Sequence, residues 1–452
     1  MEKLVIKGGI PLKGSVRVKG AKNAIGKMMM ASLLTDEEVV LKNVPRNQET
    51  EIAIEIVESV GSEVRREGDS IITRAEKIRS QKVAAISRKN RIPILALGPL
   101  LARVGEGEVP FSGATAQPNS AMEMTAAVSK AGGDKIGARP VDFHIAALEK
   151  LGAEIEIKDG SMLAKTKGLT GATITLPYPS VGATENTLLA SVLAKGRTVI
   201  QGAATEPEII DLVKMLQKMG AIIEFGANRE IFIEGVDKLH GVEHTLIPDR
   251  MEAASFAIMA LATGGDVFVE GAVQEHLITF LNVVRRIGGE YEVSDDGIRF
   301  FRNGRLKAVH VETDTHPGFM TDWQQPLTVL LTQAKGNSII HETVYENRFG
   351  YTEDLVKMGA DIEVLSKCLG DIPCRFQGKM YNHSAIIHGP TPLRGRKLEM
   401  RDIRAGMAHI IAALISNGSS EISGVEHIDR GYEDIDGRIR TLGADIKRIS
   451  ED

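Results

Sequence analysis

Residues 151–157 have the sequence LGAEIEI, in which a glycine separates an apolar, helix-like segment from an alternating, strand-like one. Glycine suits the left-handed residue that ends many helices, and alternation of apolar and polar residues is typical of a half-buried strand. The stretch therefore predicts a junction of helix, glycine and strand. Five further copies follow the same pattern: VGSEV at Gly61, MGAIIEF at Gly220, IGGEYEV at Gly288, MGADIEV at Gly359 and LGADIKR at Gly443.

The spacing of these copies indicates a repeated module. Successive copies lie about 70 to 90 residues apart, whereas solenoid repeats are about 20 to 50 residues long. Each interval holds a small α/β module with two helices and several strands, so six copies predict three modules in each of two domains. The alternative is that such junctions simply recur in any α/β protein, but the near-regular spacing favours a repeat.

The bulk composition limits the function. The chain has 452 residues, which suits two domains of about 200 residues. A net charge of −5 argues against general nucleic-acid binding, which needs a basic face. The N-terminal MEKLVIKGGIPLKG lacks the apolar core of a signal peptide, and no apolar run reaches the ~20 residues of a membrane span. We therefore expect a cytoplasmic protein that contacts neither nucleic acid nor membrane.

The sequence predicts neither a metal nor a cofactor. Cys368 and Cys374 are the two cysteines, which fits a reducing compartment and does not complete a structural zinc site by itself. GxGxxG and P-loop motifs are missing from the sequence. The histidines considered as ligands are scattered without helical pairing: His316, His341, His409 and His427.

Basic residues in short polar phrases before helices are candidate anion ligands. A lysine or arginine at a helix start can hold a phosphate or carboxylate, and arginine does so with two parallel hydrogen bonds. For each one, an exposed surface charge is the alternative interpretation. These candidates are Lys22 beside Asn23 in KGAKNAIGKMM, Arg91 in KNRIPILALGP, Arg139 in GGDKIGARPVDFH, Arg404 in RDIRAGMAH and Arg430 in HIDRGYED.

Two aspartates are candidates for proton transfer. Asp322 lies in THPGFMTDWQQP beside the sole tryptophan, where a carboxylate is either a general base or the N-cap of the following helix. Asp134 lies in the Gly-rich phrase AGGDKIGARP, where it is either a proton donor or a turn residue.

Together these phrases resemble the UDP-N-acetylglucosamine 1-carboxyvinyltransferase family of the enolpyruvyl transferase superfamily. The resemblance covers nearly the whole chain, and the matching phrases keep their order. Its most specific parts are GAKNA at 20–24, ALGPLLAR at 96–103, IGARPVDFHI at 136–145, SVGAT at 180–184, EPEIID at 206–211, ETVYENRF at 342–349 and HIDRGYE at 427–433.

The resemblance implies a fold and a reaction. The fold is two similar domains, residues 22–247 and residues 1–21 plus 248–452, each made of three βαβαββ modules in an inside-out α/β barrel, with the active site in the cleft between them. The reaction moves the enolpyruvyl group of phosphoenolpyruvate to the 3′-hydroxyl of UDP-N-acetylglucosamine by addition and elimination. It is the first committed step of peptidoglycan synthesis, and so serves cell shape and division.

The resemblance also implies roles for individual residues. Lys22, Arg91 and Arg404, with Arg430 beside them, would hold phosphoenolpyruvate; Asn23 and Asp322 would meet the sugar, with Asp322 as the base. Asp134 would act as the general acid, in a position where the family commonly has cysteine. The remaining predicted substrate contacts are Arg139, Pro140, Val141, Asp142, Ser180, Val181, Gly182, Val344 and Arg348.

Some features leave alternatives open. The segments at 110–130 and 368–384 are insertions relative to the family's usual pattern. The chain is therefore either the peptidoglycan enzyme, an enolpyruvyl transferase for another nucleotide or a shikimate phosphate, or a catalytically silent ligand-binding paralogue. SVGAT and IGARPVD favour a uridine nucleotide, and Lys22, Asp322 and Arg404 argue against a silent paralogue.

Overall fold

The computed structural model describes residues 2–83, 92–110 and 141–450. Within them the chain divides into two compact units: unit 1 contains residues 2–19 and 248–450, and unit 2 contains the described part of residues 20–247. The chain therefore begins in unit 1, passes through unit 2 and returns.

Strands and helices alternate throughout the described residues. The strands are β1 Glu2–Lys7, β2 Lys13–Arg17, β3 Glu38–Lys42, β4 Glu63–Glu67, β5 Ser70–Arg74, β6 Glu106–Pro110, β7 Glu154–Lys158, β8 Ser161–Lys165, β9 Thr173–Thr175, β10 Arg197–Gln201, β11 Ile222–Phe225, β12 Ile231–Glu234, β13 Val242–Thr245, β14 Asp266–Glu270, β15 Glu290–Ser294, β16 Gly297–Phe301, β17 His310–Glu312, β18 Gly336–His341, β19 Asp361–Leu365, β20 Ser384–Gly389, β21 Lys397–Glu399, β22 Ser419–Ser423 and β23 Asp445–Ser450. The helices are α1 Lys22–Ser32, α2 Gln48–Ser59, α3 Leu97–Val104, α4 Asp142–Lys150, α5 Val181–Ser191, α6 Pro207–Lys218, α7 Arg250–Thr263, α8 Ile278–Ile287, α9 Gln324–Leu331, α10 Thr352–Lys357, α11 Ile403–Ile415, α12 Glu426–Asp429 and α13 Ile435–Thr441.

The six glycine phrases lie where the sequence predicts junctions. A helix precedes each glycine and a strand begins two residues after it. All six glycines have positive φ, between 90° at Gly288 and 111° at Gly359, a backbone region that costs little only without a Cβ. The phrases therefore end a helix and start a strand.

The described strands form six sheets, three in each unit. Unit 1 has the orders β21-β22-β1-β23, β15-β16-β14-β2 and β17-β18-β20-β19. Unit 2 has β13-β3-β5-β4, β11-β12-β10-β9 and β6-β8-β7. Each four-stranded sheet of unit 2 has one parallel pair, β13 with β3 and β9 with β10, and antiparallel neighbours beyond it. The predicted α/β class is confirmed, and the inside-out barrel stays a prediction.

The core of unit 1 contains helices that are buried on nearly all sides. Helices α7, α9 and α11 bury almost every residue and pack on one another. By contrast, α8 has one apolar face and exposes Ile278. A helix that is apolar all round belongs in a protein interior, which explains the Ala-rich sequences of α7 and α11.

Among the residues that the structure describes, no helix is both long enough and apolar enough to cross a bilayer.

Candidate active site

Asp322 lies in unit 1 between two buried arginines. It belongs to the 3₁₀ turn Thr321–Trp323, just before helix α9. One carboxylate oxygen accepts a hydrogen bond from Nη2 of Arg348 at 2.5 Å, and the other accepts one from Nε of Arg404 at 3.2 Å. The Asp322 side chain is 21% exposed, whereas those of Arg348 and Arg404 are 1% and 7% exposed. The carboxylate is therefore the most exposed of the three charged groups.

The structure argues against Asp322 as a helix cap. Helix α9 has Trp323 at its N-cap position and no side-chain capping bond. The carboxylate instead binds the two guanidinium groups, which fix its orientation. A carboxylate held in this way suits transfer of a proton in a defined direction better than an exposed one would.

Arg404 is held by the start of helix α11 and by a tyrosine. Asp402 caps that helix by accepting the backbone N–H groups of Arg404 and Ala405, both at 2.9 Å. Nη1 of Arg404 donates to the hydroxyl of Tyr432 at 2.9 Å, and that hydroxyl also contacts Oγ of Ser255 at 3.2 Å. Burial raises the pKa of Tyr432. Because Arg430 lies two residues before Tyr432, at the end of helix α12, the structure brings the predicted Arg404 and Arg430 segments together.

Arg348 and Val344 lie on a segment that a buried glutamate organises. Glu342 is fully buried, and its carboxylate accepts the backbone N–H groups of Val344 at 2.8 Å and Tyr345 at 3.1 Å. The other oxygen accepts the hydroxyl of Thr321 at 2.8 Å, in the same turn as Asp322. The guanidinium of Arg348 also lies 5.0 Å from the ring of Tyr345. Glu342 therefore joins the segment of Val344 to the turn of Asp322.

In unit 2, Lys22 and Asn23 are the first two residues of helix α1. Nζ of Lys22 lies 3.5 Å from a carboxylate oxygen of Glu49, and its side chain is 12% exposed. Asn23 is exposed. An ammonium group at a helix N-terminus adds to the partial positive charge of the helix, so this corner of unit 2 suits an anion.

Two other helix N-termini of unit 2 converge. Val141 and Asp142 lie at the start of α4, and Ser180, Val181 and Gly182 lie at the start of α5, where the hydroxyl of Ser180 caps the helix.

The contact between the two helices is close. A Cβ on Gly182 would lie 3.0 Å from the ring of His144, in the first turn of α4. Asn186 of α5 contacts Nδ1 of His144 at 3.3 Å. The predicted residues of these two phrases are thus neighbours, and the partial positive charges of the two helix N-termini favour a ligand that carries phosphate.

Four predicted site residues lie outside the described residues: Arg91, Asp134, Arg139 and Pro140. Their roles stay predictions.

The comparisons with known proteins agree on one family. The family model described as EPSP synthase (3-phosphoshikimate 1-carboxyvinyltransferase) matches residues 6–439. The chain is 49% identical to the UDP-N-acetylglucosamine 1-carboxyvinyltransferase of Protochlamydia amoebophila, over 100% of this chain and 95% of that protein. It is 39% identical to UDP-N-acetylglucosamine 1-carboxyvinyltransferase 1 of Staphylococcus aureus, over the full length of both.

The chain belongs to the UDP-N-acetylglucosamine 1-carboxyvinyltransferase family. The resemblance stated from the sequence is therefore confirmed. Solved structures support the fold: the enolpyruvyl transferase NikO from Streptomyces tendae has a TM-score of 0.85 at 23% identity, covering 100% of this chain and 99% of that one. An EPSP synthase from Acinetobacter baumannii has a TM-score of 0.75 at 18% identity, with full coverage of both chains.

Sequence reasoning missed the side chains that hold the predicted ones. Tyr432 and Glu342 lie inside the quoted phrases HIDRGYE and ETVYENRF, but neither was predicted to have a role. The signal that could have identified both residues is that they lie inside phrases specific to the family. Their function depends on contacts with Arg404 and Thr321, which lie far away in the sequence.

The contact between Tyr432 and Arg404 gives a stability prediction. Tyr432→Phe removes the hydroxyl that binds both Arg404 and Ser255, so we expect the free energy of unfolding of unit 1 to fall by about 1–3 kcal/mol. Trp323, the only tryptophan, is buried in unit 1, so its fluorescence during urea denaturation reports on this unit.

The matched control for this prediction is Tyr291→Phe. The ring of Tyr291 packs on Phe300 in the same unit and is only partly buried. We expect this change to stay within about 0.5 kcal/mol. Equal losses in the two variants would contradict a special role for the Tyr432 hydroxyl.

Proposed function

We propose that the chain transfers the enolpyruvyl group of phosphoenolpyruvate to the 3′-hydroxyl of UDP-N-acetylglucosamine and releases inorganic phosphate. The observation that carries this proposal is 48–49% identity, over 95% or more of both chains, to proteins named UDP-N-acetylglucosamine 1-carboxyvinyltransferase. The reaction commits the sugar nucleotide to peptidoglycan synthesis. We also propose that it takes place in the cytoplasm, which two free thiols support.

The proposed architecture follows the family. Residues 22–247 and residues 1–21 plus 248–452 would each form a domain of three βαβαββ modules closed into an inside-out barrel. Three sheets in each unit and the fully buried helices of unit 1 support this proposal.

The proposed reaction has two steps. Asp322 accepts the proton of the 3′-hydroxyl as its oxygen forms a bond to C2 of phosphoenolpyruvate, and Asp134 donates a proton to C3. The resulting tetrahedral adduct carries a methyl group, the carboxylate and the phosphate. Loss of a proton from that methyl group and cleavage of the C2–O bond to phosphate then give the enolpyruvyl ether and inorganic phosphate. The positions of the Asp322 oxygens, fixed by Arg348 and Arg404, support its role as the base.

Positive groups are proposed to hold the substrates. Lys22, Arg91 and Arg404, with Arg430, bind the phosphate and carboxylate of phosphoenolpyruvate and stabilise the charge that develops on them. Asn23 contacts the sugar. The helix starts at 141–142 and 180–182, together with Arg139 and Pro140, bind the uridine diphosphate, and Val344 and Arg348 contribute further contacts. The convergence of the helices α4 and α5 supports a diphosphate-bearing acceptor over one with a single phosphate.

The acceptor is tested by measuring phosphate release with phosphoenolpyruvate and UDP-N-acetylglucosamine, each omitted in turn. We expect release only with both substrates, and a product heavier than the sugar nucleotide by one enolpyruvyl group. Shikimate 3-phosphate in place of the sugar nucleotide is the matched alternative, because the matching family model is named for that acceptor. Release with it, and not with UDP-N-acetylglucosamine, would overturn the proposed acceptor; no release with either would favour a silent paralogue.

The proposed base is tested with Asp322→Asn. The amide keeps the shape of the side chain but cannot accept the proton, so we expect kcat to fall by about 10²–10⁴-fold. Asp295→Asn is the control, because Asp295 is exposed in the turn between β15 and β16 of the same unit. A variant with unchanged kcat and a raised KM would show that Asp322 binds the substrate without taking its proton.

The proposed acid gives a prediction about inhibition. Fosfomycin alkylates a thiol, and Asp134 has none, so we expect the enzyme to keep its activity in the presence of the compound. In Asp134→Cys we expect time-dependent inhibition and a mass increase on the peptide that contains residue 134. The peptide assignment separates this reaction from labelling of Cys368 or Cys374. Inhibition of the unchanged enzyme with labelling of the 134 peptide would contradict the prediction.

A further inference from the structure

Four potential metal ligands meet in unit 1 at the insertion of residues 368–384. His341 is the last residue of β18, and His383 directly precedes β20, the antiparallel neighbour of β18. Cys368 and Cys374 lie in the connection from β19 to β20. One donor atom of each residue lies within 4.8 Å of the others. Pairing of β18 with β20 brings His341 to the insertion, a contact that the spacing of cysteines and histidines along the sequence does not predict.

Hydrogen bonds direct the Nε2 lone pair of His341 into this cluster. The hydroxyl of Ser384 donates its proton to the carbonyl of Lys367 at 2.7 Å. It must therefore accept from Nδ1–H of His341, which lies 2.8 Å away. Nε2 of His341 then carries no proton, and this fully buried atom has no hydrogen-bond partner among the described residues. A buried acceptor without a partner points to a missing ligand.

His383 has the same arrangement. Its Nδ1 lies 2.6 Å from the carbonyl of Tyr381, which can only accept, so Nδ1 carries the proton. Nε2 is left with its lone pair and faces Sγ of Cys368 at 3.2 Å. Metal-binding histidines characteristically donate their second ring N–H to a carbonyl or hydroxyl in this way.

The two thiols complete the set. Both cysteines are free and partly buried. Sγ of Cys374 accepts the backbone N–H of Phe376 at 3.4 Å. Two sulfurs and two imidazole nitrogens are a donor set that selects zinc, and tetrahedral zinc separates such donors by about 3.3–3.8 Å. The four donor atoms lie within 4.8 Å of one another, so shifts of about 1 Å bring them to that geometry.

We propose that His341, Cys368, Cys374 and His383 bind one structural zinc ion. A disulfide between the cysteines is the alternative use of these thiols. It would leave Nε2 of His341 buried without a partner, which costs about 1–3 kcal/mol. The zinc ion accounts for all four donors at once.

The site connects the insertion to the Glu342–Arg348 segment. Glu342 follows His341 directly, and Arg375, next to Cys374, donates to the carbonyl of Val344. Glu312 of β17 accepts the backbone N–H groups of Asp371 and Ile372, both at 2.9 Å. The zinc ion therefore fixes the insertion at one end of the segment that carries Val344 and Arg348.

Metal analysis of the full-length chain tests the proposal. The protein is purified without chelators and without metal-affinity resin, and we expect about one zinc per chain by elemental analysis and by native mass spectrometry. Reduced, chelator-treated protein should recover this content when zinc sulfate is added. Cobalt substituted for zinc should give the charge-transfer band of a cobalt thiolate. Less than about a tenth of an equivalent of zinc, with no rebinding, or a mass that shows a disulfide in freshly purified protein, would overturn the proposal.

Variants identify the ligands. We expect Cys374→Ser and His341→Ala to lose the zinc, whereas His388→Ala keeps it, because His388 lies on β20 but contacts Asn337 instead of the cluster. Ser384→Ala removes the hydroxyl that accepts from His341 Nδ1 and donates to the Lys367 carbonyl but leaves all four proposed ligands in place. We therefore expect a folded protein with about 10–100-fold weaker zinc binding in competition with a chromophoric chelator. Zinc retained at full affinity in Cys374→Ser and His341→Ala would show adventitious binding and overturn the site.

Discussion

The Asp322 carboxylate and the guanidinium groups of Arg348 and Arg404 form the interaction on which the candidate site of unit 1 depends. Moving a charged group out of water costs several kcal/mol, and an opposite charge with good hydrogen bonds is needed to offset that cost. Arg348 and Arg404 are almost completely buried, and the Asp322 carboxylate offsets part of the cost of burying each guanidinium group. The turn before α9, the segment after β18 and the start of α11 are therefore fixed relative to one another by charge. A site built in this way is already ordered before a ligand arrives, which lowers the entropy that binding must overcome.

The order of elements could be predicted from the sequence because it depends on local chemistry. Gly152 and Gly359 show the reason: each ends a helix in the left-handed region, and the next residues alternate in polarity as they enter a strand. Both requirements act within about ten residues, so a short phrase contains all the information. Repetition of that phrase then gave the number of modules. The helix starts at Lys22, Ser180 and Arg404 were predicted for the same reason, since small and polar residues precede Ala-rich helices there.

The contacts that make these positions a site could not be predicted in this way. Asp322 and Arg404 are 82 residues apart, and the buried pair of Lys27 and Glu185 joins helices α1 and α5 of unit 2. Burial raises the pKa of Glu185, and the Lys27 ammonium opposes this effect, so each residue depends on the presence of the other. Neither phrase alone distinguishes such a pair from an exposed charge, because the difference is set by tertiary packing. The family resemblance supplied what local chemistry could not, namely the predicted role of Asp322 as the base.

Neither local sequence patterns nor the family resemblance predicted an ordered conformation for the insertion at 368–384. Among its apolar side chains Phe376 is buried, whereas Met380 is 91% exposed. Burying one phenylalanine contributes about 1.5–3 kcal/mol, roughly the cost of ordering the backbone of two residues. Apolar burial therefore cannot hold a segment of this length, and other bonds must do so. The carboxylate of Glu312 and the carbonyl of Val344 each bind one part of it. Four ligands on one zinc ion would add a cross-link between the insertion and β18, because the free energy of metal binding becomes free energy of folding wherever the ligands are assembled only in the folded state. The predicted substrate contact at Val344 would then depend on an ion bound by residues that themselves take no part in the reaction.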